Sequence, residues 1–100
     1  MELARMNTMR EFKTGDIVKH FKRETLGDED LKENKSLYEI IGEATDSETK
    51  EKVMVYRARY GGNEMFVRPY SMFMSEVDHE KYPDIKQKYR FEQVNHGEYT

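Results

Sequence analysis

Residues 52–77 read KVMVYRARYGGNEMFVRPYSMFMSEV, and this stretch decides the fold. Val53 to Tyr60 is β-branched and aromatic, bounded by charge on one side and Gly61-Gly62-Asn63 on the other. A second apolar run follows that glycine pair, and two such runs joined by a short glycine turn predict a β-hairpin, because primed turns need positive φ. Pro69 lacks a backbone donor, so the second strand ends there or lies at an edge. Ser71 is placed to cap a brief helical turn carrying Met72 and Phe73, read as a hydrophobic plug. With Gly61-Gly62 as a two-residue loop, Ala58 faces Met65 and Tyr56 faces Val67. Those four residues and Met54 form the expected buried side. Arg57 and Arg59 then point outward, opposite Phe66 and Glu64. Moving the loop to Gly62-Asn63 shifts the partners and keeps the faces.

Working outward, Thr14-Gly15-Asp16 opens a first strand from Ile17 to Lys22 or Arg23, with apolar character on both faces. Glu24 to Lys35 is acidic and poor in apolar anchors, a surface excursion in which Asp28 is placed to cap one helical turn. A strand from Leu37 to Ala44 or Thr45 comes next. It alternates Tyr38, Ile40, Gly42 and Ala44 against Leu37, Glu39, Ile41 and Glu43. Asp46 to Glu51 is a polar hairpin loop. After the central hairpin, Asp78 to Lys88 is charged and turns at Tyr82-Pro83, and Tyr89 to Val94 forms a last strand. Leu3, Met6 and Met9 share a helical spacing at the N-terminus, which predicts a docked helix or a frayed end. The fold class is therefore all-β: a small, strongly bent antiparallel barrel of about five strands with one short helical turn. The domain reading is an N-terminal extension over 1–14, a barrel over 15–94 with a surface insertion at 24–35, and a tail over 95–100.

Composition narrows the function classes. One hundred residues support a single domain, and 36% apolar residues without Trp give it one modest core. Charged residues make up 37%, and no apolar run approaches the length of a membrane helix, so no membrane partner is expected. The absence of Cys excludes disulfides and thiolate chemistry. Together with an N-terminus that lacks an apolar secretory core, it fits a cytoplasmic protein. The net charge of −3 gives no global basic field for nucleic acid. Basic residues exceed acidic ones over 1–23, and the balance reverses over 24–52.

The order of residues resembles a small bacterial family, domain of unknown function 1653. The carriers are His20-Phe21-Lys22, Ser47-Glu48-Thr49, Val55-Tyr56-Arg57, Tyr60-Gly61, Val67-Arg68-Pro69, Met72-Phe73 and Arg90-Phe91. The resemblance spans roughly residues 15–94. It implies an SH3-type barrel and brings no established activity. Phe66 stands where the family pattern has Trp, and Arg59 where it has an aliphatic residue. The insertion from Glu24 to Lys35 would cover or reshape any shared groove.

No catalytic motif stands out. The three histidines are scattered, Asp28-Glu29-Asp30 fails as a calcium loop because Lys32 takes the fifth position, and no phosphate-binding or nucleophile-elbow pattern occurs. No cofactor is called for. Glu48 with Arg57 or Arg68 would place an acid beside a cation, although Ser47-Glu48-Thr49 also suits a loop shaped by side-chain bonds to backbone. Tyr38, Tyr60, Phe66 and Tyr70, interleaved with Arg57, Arg59 and Arg68, form the candidate binding face. Such mixtures line peptide grooves, stack single-stranded bases, or merely fill a small core. The expected function is a non-enzymatic binding module, with a protein or peptide ahead of nucleic acid as partner. A weak single-stranded nucleic-acid binder is the alternative, and an enzyme of unknown reaction comes third. The direction of the arginines separates these: pairing with Glu39, Glu43 or Glu64 would cancel a phosphate-binding surface.

Overall fold

The computed structural model describes residues 10–94. Five strands form one antiparallel sheet: β1 (Ile17–His20), β2 (Leu37–Thr45), β3 (Lys52–Ala58), β4 (Met65–Pro69) and β5 (Phe91–Gln93), in the order β4-β3-β2-β1-β5. Two short helices, α1 (Asp28–Lys32) and α2 (Tyr70–Phe73), and a 3₁₀ turn over Phe21–Thr25 complete the order. The all-β, barrel-like reading holds. The expected helix near residues 1–9 and the tail lie outside the described residues.

The sheet curls because its inward side chains need a common core. Val18, Ile40, Met54, Tyr56, Phe73 and Phe91 are buried together, drawn from β1, β2, β3, α2 and β5. Phe73 stacks on Phe91 with centroids 4.0 Å apart, so α2 closes the open end of the sheet. The guanidinium of Arg68 on β4 lies 5.8 Å from the Phe91 ring on β5, which brings the two edge strands together. Ile17, Leu37 and Val94 make a second cluster, which accounts for the apolar character on both faces of β1.

The β3–β4 hairpin differs from its expected pairing. Tyr56 faces Phe66 and Met54 faces Arg68, and Ala58 N–H donates to Glu64 O at 2.8 Å. The loop is thus 59–63, an odd number of residues, with Gly61 and Asn63 at positive φ. Asn63 also ties the loop to the end of β3, its Nδ2 donating to Ala58 O at 3.0 Å. An odd loop reverses the parity of β4 relative to a two-residue turn. Met54, Tyr56 and Ala58 are buried as expected, but Val67 is 66% exposed and Met65 47%. Phe66 turns inward to pack on the core instead.

Other elements differ in detail. β1 stops at His20, whose side chain accepts from Lys22 N–H and starts the 3₁₀ turn. Gly27, not Asp28, is the N-cap of α1, and Asp28 is its first residue. Pro69, not Ser71, precedes α2, and only Phe73 is a plug, since Met72 is 46% exposed. β5 is confined to Phe91–Gln93, although Tyr89 makes an isolated bridge with Glu76. The 24–35 segment, expected to be a surface insertion, is tied to the rest of the chain at its ends. Arg23 Nη1 donates to Lys35 O at 2.7 Å, and the Glu24 carboxylate accepts from Lys86 and Gln87 N–H at 2.9 and 2.8 Å. Among the described residues, no helix is long and apolar enough to cross a membrane.

Candidate functional site

The site is built where β1 ends, because three distant segments meet there. Antiparallel pairing sets His20 opposite Phe91, and Arg90, one residue earlier, follows the chain into the same corner. Phe21 N–H donates to Arg90 O at 3.0 Å, which fixes the two segments side by side. The curl of the sheet brings Arg68 across from β4. Gln87, buried beneath, donates to the carbonyls of Lys19, Tyr89 and Arg90 at 3.0, 2.9 and 3.3 Å and holds the irregular segment against β1.

The result is a cavity of about 260 Å³. Its cations are Lys22, Arg68, Lys81 and Arg90, its carboxylate is Asp78, and its rings are His20, Phe21 and Tyr82. Each guanidinium is steered by a neutral partner. Arg68 Nε donates to Tyr56 Oη at 3.2 Å, and Arg90 Nε donates to Ser75 Oγ at 2.9 Å. Among the described residues neither arginine forms an ion pair. Asp78 is occupied locally, its Oδ1 accepting from Glu80 and Lys81 N–H at 3.1 and 3.3 Å. Phe21 and Tyr82 pack at 5.0 Å and form the apolar wall.

His20 reports the field in this cavity. Burial pushes its pKa down to about 4, and the charges of Arg68, Lys22 and Arg90 push the same way. Its Nδ1 accepts the Lys22 N–H at 3.2 Å, so the neutral ring carries its proton on Nε2. The ring lies 4.4 Å from Phe21 and 5.0 Å from Phe91, which locks its orientation.

The residues of the expected binding face separate into several places. Tyr38, Tyr60, Phe66 and Arg68 come together around Tyr56. Tyr38 Oη and Tyr60 Oη lie 3.0 Å apart, and the Tyr38 ring meets Tyr56 edge-on at 5.3 Å and Phe66 at 6.2 Å. Burial and the Tyr60 hydrogen bond raise the Tyr38 pKa above its ordinary value. Arg57 and Arg59 lie on the opposite face, in an open groove shared with Asn34, Glu39, Asn63 and Met65. There Arg59 pairs with Glu39 at 3.6 Å, not with Glu64, and Arg57 Nη2 reaches Met65 Sδ at 3.5 Å. Asn34 brings the 24–35 segment to that groove, whereas no residue of that segment lines the cationic cavity. Tyr70 lies under Lys52, with Nζ 4.6 Å from the ring centroid. Glu48 is exposed at the β2–β3 turn. That turn is shaped by Asp46, whose Oδ1 accepts from Glu48 and Thr49 N–H at 2.8 and 3.1 Å. These two bonds lower the Asp46 pKa.

The binding face read from the hairpin contained Arg68 but missed His20, Lys22, Lys81 and Arg90. The available signal was the set of recognised elements containing His20-Phe21-Lys22, Arg68-Pro69 and Arg90-Phe91, which converge on this one cavity. A small all-β protein with a cationic corner pocket is thus the class that fold and site define. The chain belongs to a family described as protein of unknown function (DUF1653), whose model matches residues 16–93. No curated protein and no solved structure matches it.

Proposed function

We propose that this protein is a non-enzymatic binding module that captures an anionic group at His20, Lys22, Arg68 and Arg90. The observation that carries the reading is the arrangement of Arg68 and Arg90. They come from opposite edges of the sheet, are aligned by Tyr56 and Ser75, and face one cavity without an ion-pair partner among the described residues. Partly buried guanidiniums held in fixed orientation suit bidentate capture of an oxyanion.

Binding is favoured over catalysis by the state of His20. A general acid or base working near neutrality needs a pKa near the working pH. His20 is held near 4 and its Nδ1 is committed to the backbone. The test is a titration of the whole chain with phosphate or acetate, followed by backbone amide shifts. Lys22 and Arg90 amides are expected to move and Arg59 to stay still, with the shifts lost in Arg68→Gln. Shifts spread evenly over the surface would overturn the reading.

Single-stranded nucleic acid is the lesser alternative. Phosphate-backbone affinity comes from several uncompensated cations along a track. Here Arg59 is paired with Glu39, and the chain carries a net charge of −3. Binding of labelled oligonucleotides at physiological salt is expected no tighter than roughly 10⁻⁴ M. Salt-sensitive micromolar anisotropy would reverse the ranking.

A further inference from the structure

Resting on the anion-binding reading above, we infer that the group held in the cavity is the dianionic phosphate of a small-molecule phosphomonoester. The cavity sets four cations against one carboxylate, with a neutral imidazole between them. A carboxylate or phosphodiester brings one negative charge, which leaves most of that positive field uncompensated. A phosphomonoester brings close to two charges at neutral pH.

The donor directions agree with the charge. Arg68 and Arg90 each turn the Nε edge to a neutral hydroxyl, which leaves the terminal nitrogens of both forks as the groups that meet an oxyanion. The His20 tautomer, set by the bond from Lys22 N–H, supplies one further neutral donor at Nε2. The donors come from three segments, His20 on β1, Arg68 on β4 and Arg90 just ahead of β5, and line one cavity. That suits the several oxygens of a tetrahedral group better than the two coplanar oxygens of a carboxylate. Lys22 and Lys81 flank the Tyr82 ring, with Nζ 5.9 and 5.6 Å from its centroid, and place mobile charge at the rim.

Size points to a small molecule. At about 260 Å³ the cavity lies just below the usual range of pockets for drug-sized ligands, roughly 300–1,000 Å³. It suits a compact head group. The protein's net charge of −3 also disfavours a polyanion that must lie along the surface.

The experiment titrates the whole protein with methyl phosphate, dimethyl phosphate, acetate and a phosphoserine peptide at fixed ionic strength, read by amide shifts of Lys22 and Arg90. Methyl phosphate is expected to bind about tenfold tighter than dimethyl phosphate or acetate, as charge-assisted bidentate contacts imply. Its affinity should rise from about pH 5.5 to about 7.5 as the second ionisation, near 6, completes. Asp78, Lys22, Lys81, Tyr82, Arg68 and Arg90 face the same cavity, and His20 enters that range neutral because burial pushes its pKa down to about 4. The peptide is expected to bind no tighter than methyl phosphate. Lys81→Glu, at an exposed position, should bring the monoester-to-diester ratio towards one while the protein remains folded. Equal binding of all the simple anions at the cavity would overturn the phosphomonoester assignment and leave the anion-binding module standing. Markedly tighter binding of the peptide would overturn the small-molecule assignment. No shift with any anion would overturn both.

Discussion

Two regions of this molecule gather arginines, and they are chemically opposite. On the outer face of β2 and β3, Arg59 meets Glu39 and Arg57 rests on the Met65 sulfur. In the corner between β1, β4 and β5, Arg68 and Arg90 have hydroxyl partners and, among the described residues, no carboxylate in their cavity except Asp78, whose Oδ1 accepts from backbone. Exposed pairs of the first kind contribute little to stability and present little net field. Cations of the second kind are partly desolvated, so their field acts on whatever enters the cavity and adds to the burial that lowers the pKa of His20. Arginine content does not separate the regions. The placement of acidic residues and hydroxyls does.

The largest effect expected is on the support they share. Tyr56 is 4% exposed, contacts Tyr38, Phe66, Phe73 and Phe91, and orients Arg68. Tyr56→Ala should cost about 3–5 kcal/mol, measured as a shift in urea midpoint. An unchanged midpoint would mean that the corner does not rest on this core. Next comes the direct contrast between the arginines. Arg68→Ala should weaken anion binding by about 1.5–3 kcal/mol, the scale of a hydrogen bond to a charged group. Arg59→Ala should leave that binding within error, and equal losses in the two variants would erase the distinction.

The pH dependence sharpens the same comparison. The unfolded chain takes up a proton at His20 near its ordinary 6.5, whereas the folded chain resists until about 4. Below about 6.5 the unfolded state therefore binds more protons, and the stability due to this site declines as pH falls towards 4. Urea midpoints measured across that window should fall less steeply in His20→Gln than in the parent protein. Parallel slopes would show that the His20 pKa is not lowered in the folded chain. The smallest effect expected is at Val67, where Val67→Ser should change stability by no more than about 0.5 kcal/mol. A loss of about 2 kcal/mol would restore the two-residue turn and the opposite face for β4.

That last test marks what could be read from the residues. Alternation in 52–58 located β3 and its buried side, Met54, Tyr56 and Ala58. The single alternation expected over 37–45 is broken by a register shift between Ile40 and Gly42, which puts Gly42 and Ala44 on the face opposite Ile40. The face of β4 did not follow. Both of its sides carry apolar residues, Phe66 on one and Met65 and Val67 on the other, so its orientation depends on loop parity. Gly61-Gly62-Asn63 accommodates positive φ in even and odd loops alike. Reversed parity carries Arg68 from the side of Arg57 into the cavity, so one residue of loop length decides which arginine joins the site. That the segments carrying Lys22 and Arg90 meet was illegible for a different reason. They are joined by β1–β5 pairing and by Gln87, contacts of long sequence separation that no local pattern announces.

The segment ahead of β1 carries a practical consequence. Arg10 donates to Phe91 O and Met74 O at 2.8 and 3.0 Å, its guanidinium lies 3.8 Å from the centroid of the Tyr89 ring, and Phe12 meets Phe73 edge-on at 6.1 Å. A chain trimmed to the family match at 16–93 would lose this clasp, along with Val94 from the second cluster. Two carbonyls and one face of Phe73 would open to water just behind the strand that carries Phe91. Anyone expressing the domain by its family limits would thus obtain a protein with a loosened β5. Any weakening of the proposed anion binding in that protein would then be charged to the wrong residues.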